Sequence, residues 1–384
     1  MRVGCRIPNI GVIFIMKLSE CLLYRDIQEL SQMAAIYECD CNINSKLELV
    51  QSIHHRMMSK SIYPALFKEL DPNLFNFLLY ILFQKKGSFS IDELVAKGKY
   101  ICDLYSIQAS PRTWVAQLLK RGWLFPSSTK YQIQLELAED LQAFLKKEMI
   151  QYLRQQFGLE KEAVIPNSYR DEGQSILHDV RTFLTHVHND PLPMTIEGVI
   201  HKRNQQLLMR KLNVEEELIL EKSWRFGYGR RFPSYPNRFA LIYDFCFAEQ
   251  WIEESMDGCL RISLAGEKII QEQEWDSEAI YQRLILFWIK TYKQPIQSLP
   301  FLLQFMAELM KNEWMKINDL FLIVKPWLKK YYYDEVDTLF RERIVQMLLH
   351  LGLLQVTLDE SNKPTYCRLK IEVLNQYISK AKRP

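Results

Sequence analysis

The segment spanning residues 222–238 holds the residue types that nucleic-acid binding requires. It reads KSWRFGYGRRFPSYPNR, with five positive charges and no acid. Its cations are Lys222, Arg225, Arg230, Arg231 and Arg238, and its aromatic residues are Trp224, Phe226, Tyr228, Phe232 and Tyr235. Arginine can pair with phosphate through two parallel hydrogen bonds, and aromatic faces stack on bases or on guanidinium groups. Because glycine and proline interrupt the segment, we predict a loop rather than a helix.

A second group of cations precedes this loop on a predicted helix. Apolar residues recur at helical spacing over residues 195–212, and Thr195 is placed to cap the helix N-terminus. The cations of this helix are Lys202, Arg203, Arg210 and Lys211. Helix and loop together would form a basic surface for backbone phosphates.

The acidic run at residues 215–221 supports a competing interpretation. It places four glutamates between the basic helix and the basic loop. In this interpretation the aromatic side chains of the loop pack into a domain core, and its arginines pair with those glutamates. The sequence alone leaves both interpretations open.

Motifs for catalysis and for nucleotide binding are missing from the chain. It contains no GxxxxGK[ST], GxGxxG, GxSxG or HExxH pattern. His186, His188 and Asp190 could ligate a metal, but their position before a proline is typical of a helix end, where histidine interacts favourably with the helix dipole. The glutamates of the acidic run are expected on a solvated face. We therefore predict no enzymatic activity, no cofactor and no metal site.

Composition sets broad limits on the class of protein. The 384 residues suffice for two or three domains, and 48% hydrophobic with 25% charged residues is typical of a folded chain. The net charge of +3 does not by itself indicate nucleic-acid binding. Eight cysteines without regular spacing favour a reducing cytoplasm. We expect no membrane span, and we interpret residues 1–15 as a non-native or disordered extension.

Residues 66–158 have the pattern of a winged-helix-like domain. Residues 71–72 begin a first helix, Ser90 caps a second, and Pro111 begins a third. Gly122 ends the third helix, and the alternating apolar residues that follow predict a β-hairpin, the wing.

The same order of helix, strand, turn, strand and helix recurs in the second half of the chain. One copy has a helix that ends at Gly352, and a weaker copy begins near Leu241. The copies lie too far apart for a solenoid, whose repeats span about 20–50 residues. We therefore predict a mainly α fold with short β-hairpin wings, in which further winged-helix-like domains occupy residues 173–275, with the basic aromatic loop, and residues 276–384.

A second stretch of lysines and aromatic residues lies in the last predicted domain. Lysines at 325, 329 and 330 precede three consecutive tyrosines at 331–333. We predict an amphipathic helix here, with Trp327 and Leu328 facing inward.

The order of these parts resembles a family of bacterial helicase-associated proteins that are similar to the N-terminal region of XPB-type DNA helicases. Residues 16–65 form a predicted SAP-like helical hairpin containing Asn44-Ser45-Lys46, followed by LLKRGWLF at 118–125 and PMTIEGVIHKRNQQLLMRKL at 193–212. Within the last stretch the matching positions are Thr195, Gly198, Ile200, Lys202 and Arg203. The resemblance implies a DNA-associated accessory role. Because the chain has no helicase motor, a helicase would be its partner.

Two functions follow from these observations. The first is a non-catalytic DNA-binding or helicase-associated accessory protein. The alternative is a protein-interaction scaffold that uses winged helices for subunit contacts without binding DNA. A steep loss of DNA affinity with added salt would distinguish the first from the second, because phosphate neutralisation releases counterions.

Overall fold

The computed structural model of the protein describes residues 16–84, 87–128, 133–159, 166–220, 224–271 and 275–380. These residues are mainly helical, as predicted, and form three small antiparallel sheets. The chain divides into two compact units, Met1–Gly158 and Leu159–Pro384. The predicted extension at 1–15 lies outside the described residues. The first unit includes the predicted domains 16–65 and 66–158, and the second includes 173–275 and 276–384.

Short helices open the first unit. They are α1 (Leu18–Leu23), α2 (Ile27–Ile36), α3 (Lys46–Met57), a 3-10 turn (Lys60–Ile62) and α4 (Tyr63–Glu69). Polar side chains start two of them: Asp26 accepts a hydrogen bond from the N–H of Glu29 at 2.7 Å, and Ser45 accepts one from Glu48 at 3.4 Å. The apolar faces of α2 and α3 pack against each other and bury residues such as Leu30.

The rest of the first unit alternates helices with a three-stranded sheet. Its elements are α5 (Pro72–Leu82), β1 (Ser88–Ser90), α6 (Ile91–Tyr105), α7 (Pro111–Lys120), β2 (Phe125–Ser128), β3 (Ile133–Glu136) and α8 (Glu139–Gln156). The three predicted helix starts are confirmed, with Ser90 accepting a bond from the N–H of Glu93 at 3.1 Å. The hairpin begins at Phe125, because Trp123 and Leu124 still donate to the carbonyl of Leu118 at the end of α7.

The second unit contains two groups of elements joined by α13 (Ser277–Tyr292). The first group is α9 (Ser175–Asn189), β4 (Leu192–Pro193), α10 (Lys202–Met209), α11 (Asn237–Ala248), β5 (Ile252–Glu254), β6 (Cys259–Ile262) and α12 (Leu264–Gln271). The second group is α14 (Leu299–Met310), β7 (Met315–Lys316), α15 (Ile317–Val324), a 3-10 turn (Lys325–Trp327), α16 (Val336–Thr338), a π-helical segment (Leu339–Val345), α17 (Gln346–His350), β8 (Leu354–Leu358), β9 (Pro364–Leu369) and α18 (Ile371–Lys380).

All three sheets share one topology. In each, the last strand in sequence lies between the other two, giving the orders β1-β3-β2, β4-β6-β5 and β7-β9-β8. The helix before each hairpin ends at a residue with positive φ, which is Gly122 (67°), Gln250 (59°) or Gly352 (67°). The next residue donates to a carbonyl five positions earlier at 2.9 Å, from Trp123 to Leu118, Trp251 to Cys246 and Leu353 to Leu348. These are the bonds of a Schellman helix end, so the predicted recurrence of helix, turn and hairpin is confirmed.

The helix predicted from Thr195 begins instead at Lys202. Thr195 belongs to a preceding turn, in which its N–H bonds to the carbonyl of Val199 at 2.7 Å and Gly198 has a φ of 71°. Thr195 therefore does not cap the helix, and Arg210 follows its last residue.

The prediction of an amphipathic helix near residues 325–330 was also wrong, because the helical segment there is much shorter. Only a three-residue 3-10 turn follows α15, because Pro326 has no N–H to continue the helical hydrogen bonding. Trp327 and Leu328 are buried, as predicted.

Candidate nucleic-acid interface

The side chain of Asp244 on α11 forms hydrogen bonds with the backbone of the basic aromatic loop, residues 222–238. Its carboxylate accepts the N–H of Arg230 at 2.6 Å and that of Arg231 at 3.1 Å. Burial raises the pKa of Asp244 to about 6, although these N–H groups and the two guanidinium groups act in the opposite direction. Gly229 has a φ of 125°, and a Cβ there would lie 2.2 Å from Oδ2 of Asp244. This glycine therefore permits the close approach of loop and carboxylate.

Glu254 on β5 binds the side chains of both neighbouring arginines. Arg230 donates to its two oxygens at 2.6 Å each, and Arg231 donates to Oε1 at 2.7 Å. The hydroxyl of Tyr243 donates to the same oxygen at 2.7 Å. Burial alone would raise the pKa of Glu254, but these hydrogen bonds lower it to about 2. The two arginines are thus engaged by a carboxylate of the protein itself.

Arg225 lies against the ring of Phe232, with 3.9 Å between its Cζ and the ring centroid. Its guanidinium donates to the carbonyl of Tyr235 at 3.1 Å and to Oδ1 of Asn237. Arg343 donates to the same amide oxygen at 3.0 Å. Burial and the nearby charge of Arg343 lower the pKa of Arg225. Arg225 therefore helps to join the loop to the π-helical segment.

Arg238 is fully buried, so the prediction that it contacts phosphate does not hold. Its Nη1 lies 2.5 Å from Oδ2 of Asp179, which is also fully buried. Its Nε lies 3.8 Å from Glu172, and its Nη2 donates to Ser175 at 3.3 Å. Glu172 in turn lies 2.9 Å from Nδ1 of His350. Arg238 belongs to a charged network in the interior of the second unit.

Three aromatic residues of the loop also lie in the interior. Tyr228, Phe232 and Tyr235 are at most 3% exposed. The competing interpretation is correct for these rings. It is wrong about the acids of Arg230, Arg231 and Arg238, whose side chains pair with carboxylates outside the run at 215–221. Within that run, Glu216 accepts the backbone N–H of Arg238 and of Phe239 at 2.9 and 2.8 Å.

The four cations of the predicted helix all lie on the surface, at and just after α10. We call Lys202, Arg203, Arg210 and Lys211 the α10 basic surface. Lys202 donates to the carbonyl of Ile219, and Nζ of Lys211 lies 3.1 Å from Nδ1 of His186. Arg203 and Arg210 form no side-chain hydrogen bond or ion pair with any residue that the structure describes. Residues 198–214 contain no acid. Arg203 and Arg210 can therefore accept phosphate groups without first losing a partner among the described residues.

A group of exposed rings was not recognised from the sequence as one feature. Trp224, Phe226, Tyr332 and Tyr333 come together from two distant segments of the second unit, and we call them the aromatic ledge. The only sequence signal was the presence of aromatic residues beside basic ones in both segments. Lys222, which precedes the first segment, lies outside the described residues.

A cleft of about 750 Å³ in the second unit has charged walls, and two of its arginines are already paired. Arg170 binds Glu172 at 2.6 Å, and Arg343 binds Asp334 at 2.9 Å. Both arginines are therefore engaged by acids of the protein, and the lining also contains the glutamates at 215–217.

His186 and His188 lie in the last turn of α9, as predicted from the proline that follows. Burial and the charge of Lys211 lower the pKa of His186. Within the described ranges, no three His, Cys, Asp or Glu residues are grouped so that they could hold a metal ion. In the same ranges, no helix has the length and apolar character needed to cross a membrane.

No protein-family model matches this chain, and no curated protein matches it significantly.

Proposed function

We propose that the protein is a non-catalytic DNA-binding accessory protein that contacts backbone phosphates through the α10 basic surface. The observation that carries this proposal is the contrast between two sets of cations in the same unit. Arg230, Arg231 and Arg238 are engaged by carboxylates of the protein. Arg203 and Arg210 are exposed, and no described residue pairs with them.

The repeated architecture supports this proposal. Each of the three groups has a helix, a short strand, further helices and a hairpin, with the last strand in the centre of the sheet. We propose that these are winged-helix-like modules and that the α2–α3 pair is the SAP-like hairpin that precedes them. In such domains helices and basic loops contact the phosphates that fix the position of the protein on the duplex. A helicase partner remains an expectation from the sequence resemblance.

The proposal is tested by the salt dependence of DNA binding to wild type and to the double variant Arg203→Ala, Arg210→Ala. Loss of two phosphate contacts should weaken binding at low salt and reduce the slope of log affinity against log salt by about 1.8, at 0.9 per contact. The matched control is Lys290→Ala, Lys293→Ala, which removes two exposed charges from α13 and its C-terminal end in the same unit. Fluorescence anisotropy with a labelled duplex measures the affinity of each protein at each salt concentration. An unchanged slope in the first variant, or an equal change in the control, contradicts the assignment.

One observation favours the alternative, a protein-interaction scaffold. In a winged helix that reads DNA, one helix must be accessible to the major groove. The helix that precedes the hairpin in the second group, α11, is buried along most of its length, and the same holds for the π-helical segment and α17 in the third. Only α7 of the first unit presents an exposed face, including Arg112. The scaffold would be favoured if the wild-type protein binds a purified helicase but shows no binding to duplex DNA at 50 mM salt.

A further inference from the structure

The aromatic ledge is a continuous group of large rings exposed to solvent. The exposed fractions are 72% for Trp224, 41% for Phe226, 66% for Tyr332 and 68% for Tyr333. The ring of Phe226 lies 6.0 Å from that of Trp224 and 6.4 Å from that of Tyr333, with an interplanar angle of 26° in both pairs. Tyr332 lies 5.4 Å from Phe226. Three rings from two segments are thus roughly parallel at one surface, and the ring of Tyr332 is tilted by 44° to that of Phe226.

The position of the ledge is fixed by contacts beneath it. Tyr331 and Asp334 exchange backbone hydrogen bonds of 3.1 and 2.9 Å, so Tyr332 and Tyr333 form the tip of a tight turn. The carboxylate of Asp334 accepts two bonds from Arg343, at 2.9 and 3.2 Å. The turn is therefore anchored to the π-helical segment.

Gly227 joins the two segments of the ledge. Its φ is 87°, and a Cβ at this position would lie 2.6 Å from the ring of Tyr331. Tyr331 can pack over the backbone at residue 227 only because no side chain is present there. This contact places Phe226 beside the turn that carries Tyr332 and Tyr333.

The tip of the turn is energetically unfavourable for the residue that occupies it. Tyr332 has a φ of 49°, in the left-handed region that is unfavourable for a bulky residue. Its ring recovers little of this by burial, since two thirds of the residue is exposed. A strained, exposed aromatic residue on an anchored turn is a feature that points to binding.

The lysines that precede the ledge turn suit a polyanion, and the three acids that follow it, at 334, 335 and 337, are each paired with a cation. Lys325, Lys329 and Lys330 precede the turn and are exposed. Lys330 pairs with Glu335, while Lys325 and Lys329 form no ion pair with any described residue. Unneutralised lysines that precede exposed rings in the chain match the two components of single-strand binding, which are attraction of phosphates and stacking on bases.

We propose that the aromatic ledge stacks the unpaired bases of single-stranded DNA. This inference rests on the proposed function and deepens it, because bases within a duplex are already stacked and do not offer their faces to a protein surface. The α10 basic surface then supplies phosphate contacts to either form of DNA, and the ledge supplies preference for the single strand.

The test compares binding of fluorescein-labelled (dT)20 and of a 20-base-pair duplex to wild type and to Tyr332→Asn, Tyr333→Ala. Asparagine tolerates the left-handed conformation, so the turn should be retained while both rings are lost. Because stacking contributes about 1–3 kcal/mol per base, affinity for (dT)20 should fall at least tenfold, and affinity for the duplex should change less than twofold. The matched control is Tyr24→Ala in the first unit, which removes a ring that is 81% exposed.

A conservative variant separates stacking from other roles of the tyrosines. Tyr333→Phe keeps the ring and should bind (dT)20 like wild type, and a thermal melt of each variant shows that it is folded. If wild type binds neither DNA, the proposed function fails. If wild type binds and the ledge variant retains full affinity for (dT)20, or loses affinity equally for the duplex, the proposed function stands and the ledge inference fails.

Discussion

The arginines of the loop and those of the α10 basic surface have the same side chain but opposite surroundings. Arg238 is fully buried and contacts Asp179 at 2.5 Å, whereas Arg203 is exposed and pairs with no described residue. The acids that engage the loop arginines come from α9, β5 and the segment before α9. The number of charges in a segment therefore does not measure its capacity to bind phosphate. What decides is whether the fold brings an acid to each charge.

The comparison also separates the two kinds of aromatic residue in the loop. Tyr235 and Phe239 pack edge to face at 5.1 Å inside the second unit, and the hydroxyl of Tyr235 accepts the N–H of Ile200 at 3.0 Å. Trp224 and Phe226, at the start of the same segment, are exposed. The loop thus connects an internal structural part with an exposed group of rings.

The largest expected effect on stability is that of removing the buried charge of Arg238. Arg238→Met keeps much of the side-chain volume but leaves the fully buried carboxylate of Asp179 without its cationic partner. Loss of one member of a buried ion pair costs about 3–5 kcal/mol, so the free energy of unfolding in urea should fall by that amount. The matched control, Arg203→Met, makes the same chemical change on the surface and should alter it by less than about 0.5 kcal/mol. Equal effects of the two variants on stability would contradict the distinction between a buried, paired arginine and an exposed, unpaired one.

An intermediate effect is expected from Glu254→Gln. The amide cannot accept charge-assisted bonds from Arg230 and Arg231 together, so stability at pH 7 should fall by about 1–3 kcal/mol. Glu253→Gln changes the exposed neighbour and is the matched control.

The contribution of Glu254 should also depend on pH. Its pKa in the folded protein is about 2, below the ordinary value of 4.5, so the folded state holds its proton less tightly than the unfolded state does. The stabilisation is complete above about pH 5 and is lost as the pH falls from about 4.5 towards 2. Thermal melts should therefore show the difference between wild type and Glu254→Gln shrinking across this range. A difference that stays constant would show that the hydrogen bonds do not depend on the carboxylate charge.

Local signals in the sequence predicted where several helices begin and end. Ser90 and Pro111 marked helix starts, and Gly122 and Gly352 marked two of the three helix ends that precede a hairpin. The copy between them had a weaker sequence signal, because Gln250 adopts the same left-handed conformation without being glycine. Capping and turn residues act over a few positions, which is why a single sequence reveals them.

The surroundings of the candidate site residues could not be predicted in the same way. The burial of Arg238 depends on Asp179 in α9, and the ledge depends on contact between Phe226 and Tyr332. These pairs are far apart in the sequence, and no spacing rule connects them. The α10 cations were identified correctly as surface residues because charged side chains without nearby acids rarely enter a core.

The smallest expected effect on folding is that of Arg203→Ala with Arg210→Ala. Since neither guanidinium has a described partner, their removal should change the free energy of unfolding in urea by no more than about 0.5 kcal/mol. The same variant should lose DNA affinity, so the two measurements together separate a binding role from a structural one. For Arg238 the outcome should be reversed, with a large loss of stability. A destabilisation of several kcal/mol by the surface variant would show that these cations are internal partners too, and the contrast that supports DNA binding would then disappear.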